Sequence, residues 1–199
     1  PKNVAKAAEY YTAACDRGIG RGCSNLAWLK RREPTMADVT AAVRLYAQGC
    51  RAGDGKGCCG EGELRQFGLG APRDLARARA AFEHGCDELG DWCSCAGLGE
   101  LVLSGQGGPL DEARGQQLLE GACRAKESAA CMTLGRHLRA TRPDAAHTWL
   151  AQACSEQPAA CTDAWPSADG GVGEEGVKRL EAHCAKTKDC YVLAQVNEW

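Results

Sequence analysis

The residues in this chain that are best equipped for chemistry are its cysteines. The chain of 199 residues contains 14 of them, against only four histidines. A thiolate can attack an electrophile or bind a metal, and two cysteines that meet can form a disulfide. What the cysteines do therefore depends on which of these three states they adopt.

The spacing of the cysteines favours disulfides over metal sites. Zinc sites typically use C-x(2–4)-C knuckles supported by histidine, whereas a single residue separates Cys93 from Cys95. Dense, regularly spaced cysteines are typical of proteins in oxidising compartments. We therefore expect a disulfide framework without cofactors or metals, in a periplasmic or secreted protein. Haem or metal capture by unpaired cysteines is an alternative that thiol titration would expose.

Six cysteine pairs recur along the chain at intervals of 30 to 37 residues. In each pair the first cysteine ends an amphipathic stretch, and the second lies six to nine residues further on. A bridge that closes a loop of about nine residues contributes roughly 2.5 kcal/mol in the chain-entropy model. The expected pairs are Cys15 with Cys23, Cys50 with Cys58, Cys86 with Cys95, Cys123 with Cys131, Cys154 with Cys161, and Cys184 with Cys190.

Two cysteines, Cys59 and Cys93, remain outside this pattern. They fall near the same edge of two successive repeats, so we expect a seventh bridge between them. The alternative is that Cys93 pairs with Cys86 and that Cys59 pairs with Cys95. Both arrangements have the same number of bridges.

Apolar periodicity on either side of each pair predicts two helices per repeat. A large apolar residue lies four positions before every first cysteine, and alanine or glycine lies eight before it. Residues four apart share one helix face. After the second cysteine a new apolar pattern begins, for instance with Leu98 and Gly99. The large residues are Tyr11, Tyr46, Phe82, Leu119, Leu150 and Leu180.

Glycine turns followed by proline and an acid, as in GAPRD and GGPLDE, end one helix and start the next. The predicted fold class is therefore all-α. It is an α-solenoid of about six antiparallel helix pairs, a right-handed superhelix stapled by disulfides. We expect a single domain over 1–199.

Charge and hydropathy exclude other classes. The formal net charge is −2 with acids and bases interspersed, so we expect no nucleic-acid partner. No run of 18 apolar residues predicts a membrane span. Because the sequence begins with Pro1 and shows no leader, we expect a mature or excised form. Separately, we expect a monomer.

The repeated pattern consists of the motif C-x-x-L-G-x-L, then a glycine turn with proline and an acid, and then A-x-x-x-Y-x-x-x-C. This pattern resembles the Sel-one-like repeat (SLR), a relative of the tetratricopeptide repeat. The C-x7-C spacing at Cys15–Cys23, Cys50–Cys58 and Cys123–Cys131 resembles its cysteine-rich branch, the Helicobacter cysteine-rich proteins. This resemblance implies an extracytoplasmic scaffold that binds a protein or an extended peptide in a concave groove. It also implies an alternative, since some members are described as penicillin-binding or as weak β-lactamases.

In the related tetratricopeptide fold, the first helix of each repeat lines the groove, which here is the helix that starts near the second cysteine. The resemblance therefore implies groove residues at Ser24, Trp28, Arg31, Glu63, Gln66, Glu100, Met132, Arg136, Arg139, Tyr191 and Gln195.

Catalytic motifs do not accompany this pattern. None of the serines in the sequence is followed by lysine in an S-x-x-K motif, and neither K-T-G nor H-E-x-x-H occurs. We therefore expect no catalytic residues, and hydrolysis of β-lactams rests on the resemblance alone.

Overall fold

The computed structural model of the chain describes residues 3–32, 35–157, 161–165 and 173–187. These residues form α-helices joined by turns, and no β-strand occurs among them. A π-helical turn, His84–Glu88, follows the fifth helix. The helices are α1 (Val4–Asp16), α2 (Gly20–Arg31), α3 (Met36–Arg51), α4 (Gly55–Phe67), α5 (Leu75–Glu83), α6 (Trp92–Ser104), α7 (Glu112–Arg124), α8 (Ser128–Leu138), α9 (Pro143–Glu156), α10 (Cys161–Ala164) and α11 (Glu174–Thr187).

The chain divides into two compact units, Pro1–Leu118 and Leu119–Trp199. The boundary falls inside α7. A single domain over 1–199 stays a prediction.

In unit 1 the helices pair within repeats as the cysteine spacing predicts. Helix α1 packs on α2, α3 on α4, and α5 on α6. The helices that start near second cysteines, α2, α4 and α6, also contact one another in succession. The predicted fold class, a solenoid of helix pairs stapled by disulfides, is confirmed.

Phe82 shows how helices of successive repeats approach one another. Its side chain is fully buried, with 1% of its surface exposed. A Cβ atom on Gly62 of α4 would lie 2.4 Å from the ring, and one on Gly97 of α6 would lie 2.5 Å from it. Only glycine leaves space for the ring at both positions. The large residue four positions before Cys86 thus packs between small residues of two neighbouring helices.

Unit 2 contains the same kind of crossing. Leu150 of α9 is buried against α8, where a Cβ atom on Gly135 would lie 2.5 Å from Leu150 Cγ. Further contacts join α9 to α10, and both of these helices to α11. The core of this part consists of Leu150, Cys154, Cys161, Ala164 and Leu180.

Every cysteine whose side chain the structure describes forms a disulfide. Cys59 is joined to Cys93 and Cys86 to Cys95, so the alternative arrangement of these four is not the one observed. The expected pair of Cys184 with Cys190 stays a prediction, because Cys190 lies outside the described residues. The other bridges are Cys15–Cys23, Cys50–Cys58, Cys123–Cys131 and Cys154–Cys161.

A left-handed residue follows the first cysteine in each of four turns and brings the second cysteine back. Gly18, Gly53 and Gly90 have φ of 78°, 80° and 64°, and Lys126 has φ of 74° in the equivalent turn of unit 2. Cys86 and Cys95 are nine residues apart, not eight as in the other three turns. The π-helical turn at His84–Glu88 accommodates this extra residue, since a π-turn inserts one residue into a helix.

Candidate functional site

The face formed by α2, α4 and α6 in unit 1 carries predicted groove residues from three successive repeats. Trp28, Glu63 and Glu100 each lie five residues after the second cysteine of their repeat, and Arg31 lies eight after Cys23. Equal positions in stacked repeats fall on the same side of the stack. We call these four residues and their three helices the first-helix face.

Arg31 and Glu63 join α2 to α4 on this face. Nη1 of Arg31 donates to Oε2 of Glu63 over 2.6 Å, and about two fifths of each side chain is exposed. Burial lowers the pKa of Arg31, but the Glu63 carboxylate and Tyr46 raise it by more, so the net pKa is raised. Burial also raises the pKa of Tyr46, against the opposing effect of Arg31. These groups therefore form one charged cluster between two repeats.

Trp28 gives the first-helix face an aromatic surface. Half of its side chain is exposed, and Cζ of Arg32 lies 4.7 Å from the centroid of its ring. A guanidinium at this distance makes a cation–π contact. The contact holds the ring in place while half of the Trp28 side chain stays exposed to solvent. Glu100 is also exposed, one repeat beyond Glu63. The face thus offers an aromatic ring and charges of both signs.

Two predicted groove residues are buried, which corrects the expectation that they face a partner. Ser24 is 4% exposed, its hydroxyl donates to the Gly20 carbonyl, and a Cβ on Gly49 would lie 2.3 Å from its Oγ. Gln66 is 6% exposed. Gly49 of α3 and Gly57 of α4 bring the backbone so close to the Ser24 hydroxyl that no partner reaches it.

Unit 2 has a comparable ion-pair cluster between α8 and α10. Arg136 pairs with the Asp163 carboxylate, and Arg139 donates to the Asp163 carbonyl over 2.8 Å. The predicted residue Met132 is half-buried on the same helix. Tyr191 and Gln195 lie outside the described residues. Asp163 was absent from the predicted set, although its position two residues after Cys161 places it at the start of a first helix.

The Cys59–Cys93 bridge lies beside the charged cluster of unit 1. It connects α4 to α6, whereas the other bridges that the structure describes connect the two cysteines of a single repeat. Oε1 of Glu63 lies 3.9 Å from Sγ of Cys59. The bridge therefore fixes two helices of the first-helix face covalently.

Two groups of side chains have the spacing of metal ligands. One contains Cys50, Cys58 and His84, and the other contains Cys59, Asp91 and Cys93; within each group the ligand atoms lie within 4.8 Å of one another. All four cysteines are in disulfides here, and a disulfide sulfur is not a thiolate ligand. In the oxidised protein these groups are structural.

Within the described ranges, none of the helices has the length and apolar character that crossing a bilayer requires.

Comparison with known proteins relies on structure. No family model and no curated protein sequence matches the chain. Solved structures with a similar fold include a Sel1 repeat protein from Oxalobacter formigenes, with a TM-score of 0.63 and 18% identity over 77% of this chain and 63% of that chain. A protective antigen of uropathogenic Escherichia coli strains that displays an SLR fold has a TM-score of 0.70 and 18% identity, over 90% of this chain and 41% of that chain. The chain thus spans less than two thirds of the length of either protein.

The third neighbour has the same cysteine-rich character. Helicobacter pylori cysteine rich protein B has a TM-score of 0.51 and 26% identity, over 65% of this chain and 93% of that chain. Its name matches the branch that the C-x7-C spacing predicts. The chain therefore has the Sel1-like repeat fold, and the predicted resemblance to the Helicobacter cysteine-rich proteins is confirmed.

Proposed function

We propose that this chain is an extracytoplasmic scaffold that binds an extended peptide, or an extended segment of a protein, along the first-helix face of unit 1. The observation that carries the proposal is the row of exposed Trp28, Arg31, Glu63 and Glu100 on three helices that contact one another. Extended chains suit such a row because their side chains recur at a spacing that successive repeats can match.

The composition of the row supports recognition of a protein rather than a small apolar molecule. Tryptophan and arginine are the residues that most often dominate the binding energy of protein interfaces. Half-exposed Trp28 offers apolar area, while Arg31 and Glu63 offer charges that a peptide of mixed charge complements. A row that carries charges of both signs favours one register of the bound peptide.

The cross-links of the face support binding without large rearrangement. The Cys59–Cys93 bridge holds α4 against α6, and the Arg31–Glu63 ion pair holds α2 against α4. A surface that is already ordered loses little entropy when a partner binds.

Disulfides within five successive repeats also support the extracytoplasmic location in the proposal. Such bridges persist in secreted and periplasmic proteins and are rare in the reducing cytosol.

A peptide selection tests the proposal. The oxidised protein is immobilised, a displayed library of extended peptides is selected on it, and the affinity of the selected peptides is measured by calorimetry. We expect Trp28→Ala to weaken binding at least tenfold, because a half-exposed tryptophan at an interface is a typical hot spot. Glu100→Gln should weaken binding by a smaller factor.

The matched controls are Arg44→Ala and Gln48→Ala, which alter exposed residues of α3 outside the first-helix face. We expect both controls to bind as the parent protein does. The proposal is wrong if no peptide is selected, or if the α3 variants lose as much affinity as Trp28→Ala.

A further inference from the structure

Among the disulfides that the structure describes, the Cys59–Cys93 bridge is the one that a reductant reaches most easily. Cys93 is half-buried, whereas the other cysteines whose burial the structure describes are all buried. Thiol–disulfide exchange requires a thiolate to approach one sulfur directly, so access decides which bridge opens first. The other group with the spacing of metal ligands contains the Cys50–Cys58 bridge. These two cysteines are only 5% and 0% exposed.

The bridge and two carboxylates beside it provide four potential metal ligands. The sulfurs of Cys59 and Cys93 and a carboxylate oxygen of Asp91 lie within 4.8 Å of one another, and Oε1 of Glu63 lies 3.9 Å from Sγ of Cys59. In a tetrahedral zinc site, two ligand atoms at about 2.0 to 2.3 Å from the metal are roughly 3.3 to 3.8 Å apart. The two sulfurs and the Asp91 oxygen are therefore close to the spacing of one site, and Glu63, which lies beside Cys59, would supply the fourth ligand by moving toward them.

Both carboxylates are already oriented by a second residue. Arg31 donates to Oε2 of Glu63, which leaves Oε1 on the side of Cys59. The backbone N–H and the hydroxyl of Ser94 donate to Oδ1 of Asp91 over 2.9 and 2.8 Å, which leaves Oδ2 available. Partners of this kind, which hold the ligands in place, are typical of protein metal sites.

We propose that a dithiol reductant opens the Cys59–Cys93 bridge and that the reduced cysteines, with Asp91 and Glu63, bind one divalent cation of the Zn²⁺ class. The inference does not depend on peptide binding. It adds to the scaffold a thiolate–carboxylate metal site that exists only in the reduced form.

The redox step balances through the reductant. A thiolate of the dithiol attacks Sγ of Cys93, forms a mixed disulfide and releases Cys59 as a thiolate. The second thiolate of the reductant then displaces Cys93 and leaves as a cyclic disulfide, so the dithiol loses two electrons and the bridge gains them. The cation displaces two protons from the two thiols when it binds.

Two cysteine thiolates and two carboxylates favour zinc over calcium or magnesium. Thiolate ligands select zinc and other soft or borderline ions, while calcium and magnesium prefer oxygen ligands alone. The guanidinium of Arg31 offsets part of the negative charge that four anionic ligands bring together.

Limited reduction followed by metal titration tests the proposal. The oxidised protein is treated with a small dithiol, desalted without oxygen and titrated with Co²⁺ and then Zn²⁺, while alkylation and peptide mapping identify the opened bridge. We expect Cys59 and Cys93 to be alkylated first. The reduced protein should bind one Co²⁺ per chain, show thiolate-to-cobalt absorption, and release Co²⁺ to Zn²⁺; the oxidised protein should show none of this.

Variants separate the metal site from general unfolding. Cys59→Ser combined with Cys93→Ser should abolish the cobalt absorption, with helix content checked by circular dichroism. Asp91→Asn should weaken the affinity at least tenfold, and it keeps the N-cap of α6 because asparagine caps as well as aspartate. The matched control is Asp74→Asn, which alters the N-cap of α5 and should leave the affinity unchanged.

Any of four results would overturn the proposal, the last two of which concern the variants. The first is that another bridge opens before Cys59–Cys93. The second is that the selectively reduced protein binds no Co²⁺. The third is that the doubly substituted protein binds Co²⁺ as tightly as the reduced parent. The fourth is that Asp91→Asn and Asp74→Asn have equal effects.

Discussion

Arg31 and Glu63 form an ion pair between the first helices of two successive repeats, with Nη1 and Oε2 separated by 2.6 Å. In unit 2, Arg136 and Arg139 meet Asp163 in the same way, from α8 to α10. In each unit an arginine in the C-terminal half of one first helix thus contacts an acid on the next one. Successive repeats are thus joined by polar contacts of this kind as well as by apolar crossings such as that of Phe82.

The Arg31–Glu63 pair should make a small contribution to stability. Both side chains are partly exposed, and ion pairs of this kind contribute about 0.2 to 1 kcal/mol. A double-mutant cycle of Arg31→Gln and Glu63→Gln, measured by urea denaturation, should give a coupling energy in that range. A coupling energy of several kcal/mol would contradict the view that solvent screens this pair.

Lys126 should be a point of backbone strain in unit 2. Its φ of 74° lies in the left-handed region, where the equivalent residues are glycines. A residue with a Cβ atom loses roughly 1 to 2 kcal/mol in this region. We expect Lys126→Gly to have a free energy of unfolding about 1 kcal/mol higher than Lys126→Ala, a control that removes the same side chain but keeps the strain.

The reverse substitution at Gly53 should have the opposite sign. A Cβ atom at Gly53 would meet nothing within 4 Å, so only the φ of 80° opposes a side chain. Gly53→Ala should lower the free energy of unfolding by about 1 kcal/mol. If Gly53→Ala is neutral in thermal or chemical denaturation, the left-handed turn is not what brings the two cysteines of a repeat together.

Gly62 should tolerate no side chain while Phe82 is present. A Cβ atom 2.4 Å from the ring forces the core to shift, and overpacking of this kind costs about 1 to 3 kcal/mol. Gly62→Ala should therefore lower the free energy of unfolding by that amount. In a Phe82→Leu background, which leaves more space, the same substitution should cost less; equal costs in both backgrounds would show that the two residues do not compete for space.

Asp38 should make stability depend on pH under acidic conditions. Hydrogen bonds from Thr35 and Lys30 hold the pKa of Asp38 below its ordinary value. A lowered carboxyl pKa contributes stability above the pKa of the unfolded chain, about 3.9, and this contribution is lost as the pH falls through the folded pKa. The stability difference between the parent protein and Asp38→Asn should therefore be constant near neutrality and vanish in acid.

Urea denaturation from pH 7 to pH 2 measures this difference. Thr35→Val is the matched variant, because it removes the Thr35 hydroxyl that donates to Asp38 while the Asp38 carboxylate stays. It should make the pH dependence that Asp38 causes smaller. A difference between parent and Asp38→Asn that persists unchanged at pH 2 would contradict the assignment.

The sequence was sufficient to predict the fold because each repeat contains cysteines from which its other positions can be counted. The cysteines mark where one helix ends and the next begins, so positions counted from them fall on known faces. Phe82, four residues before Cys86, and Gly62, four after Cys58, occupy the large and small positions that this counting predicts. Their contact in the structure follows directly.

Counting from the cysteines was insufficient to predict which residues of the candidate site are exposed and which contacts they make. Whether a first-helix residue faces solvent depends on how closely the neighbouring helix approaches, and that distance depends on small residues such as Gly49, which lies against Ser24. The Arg139–Asp163 contact depends on where the very short helix α10 begins, which periodicity cannot locate in four residues. The single-residue insertion at His84–Glu88 has no sequence signal beyond the longer Cys86–Cys95 spacing.

The most direct test of the account is peptide mapping of the native, unreduced protein by mass spectrometry. Cys58 and Cys59 are adjacent and only Ser94 separates Cys93 from Cys95, so fragmentation within the linked peptides must assign these bridges. We predict Cys50–Cys58, Cys86–Cys95 and Cys59–Cys93, together with bridges within each of the other described repeats. Free thiols at these positions would contradict a stack of helix pairs in which each of these repeats has its own bridge. Cys86 linked to Cys93 and Cys59 linked to Cys95 would contradict the observed pairing, in which Cys59–Cys93 joins α4 to α6.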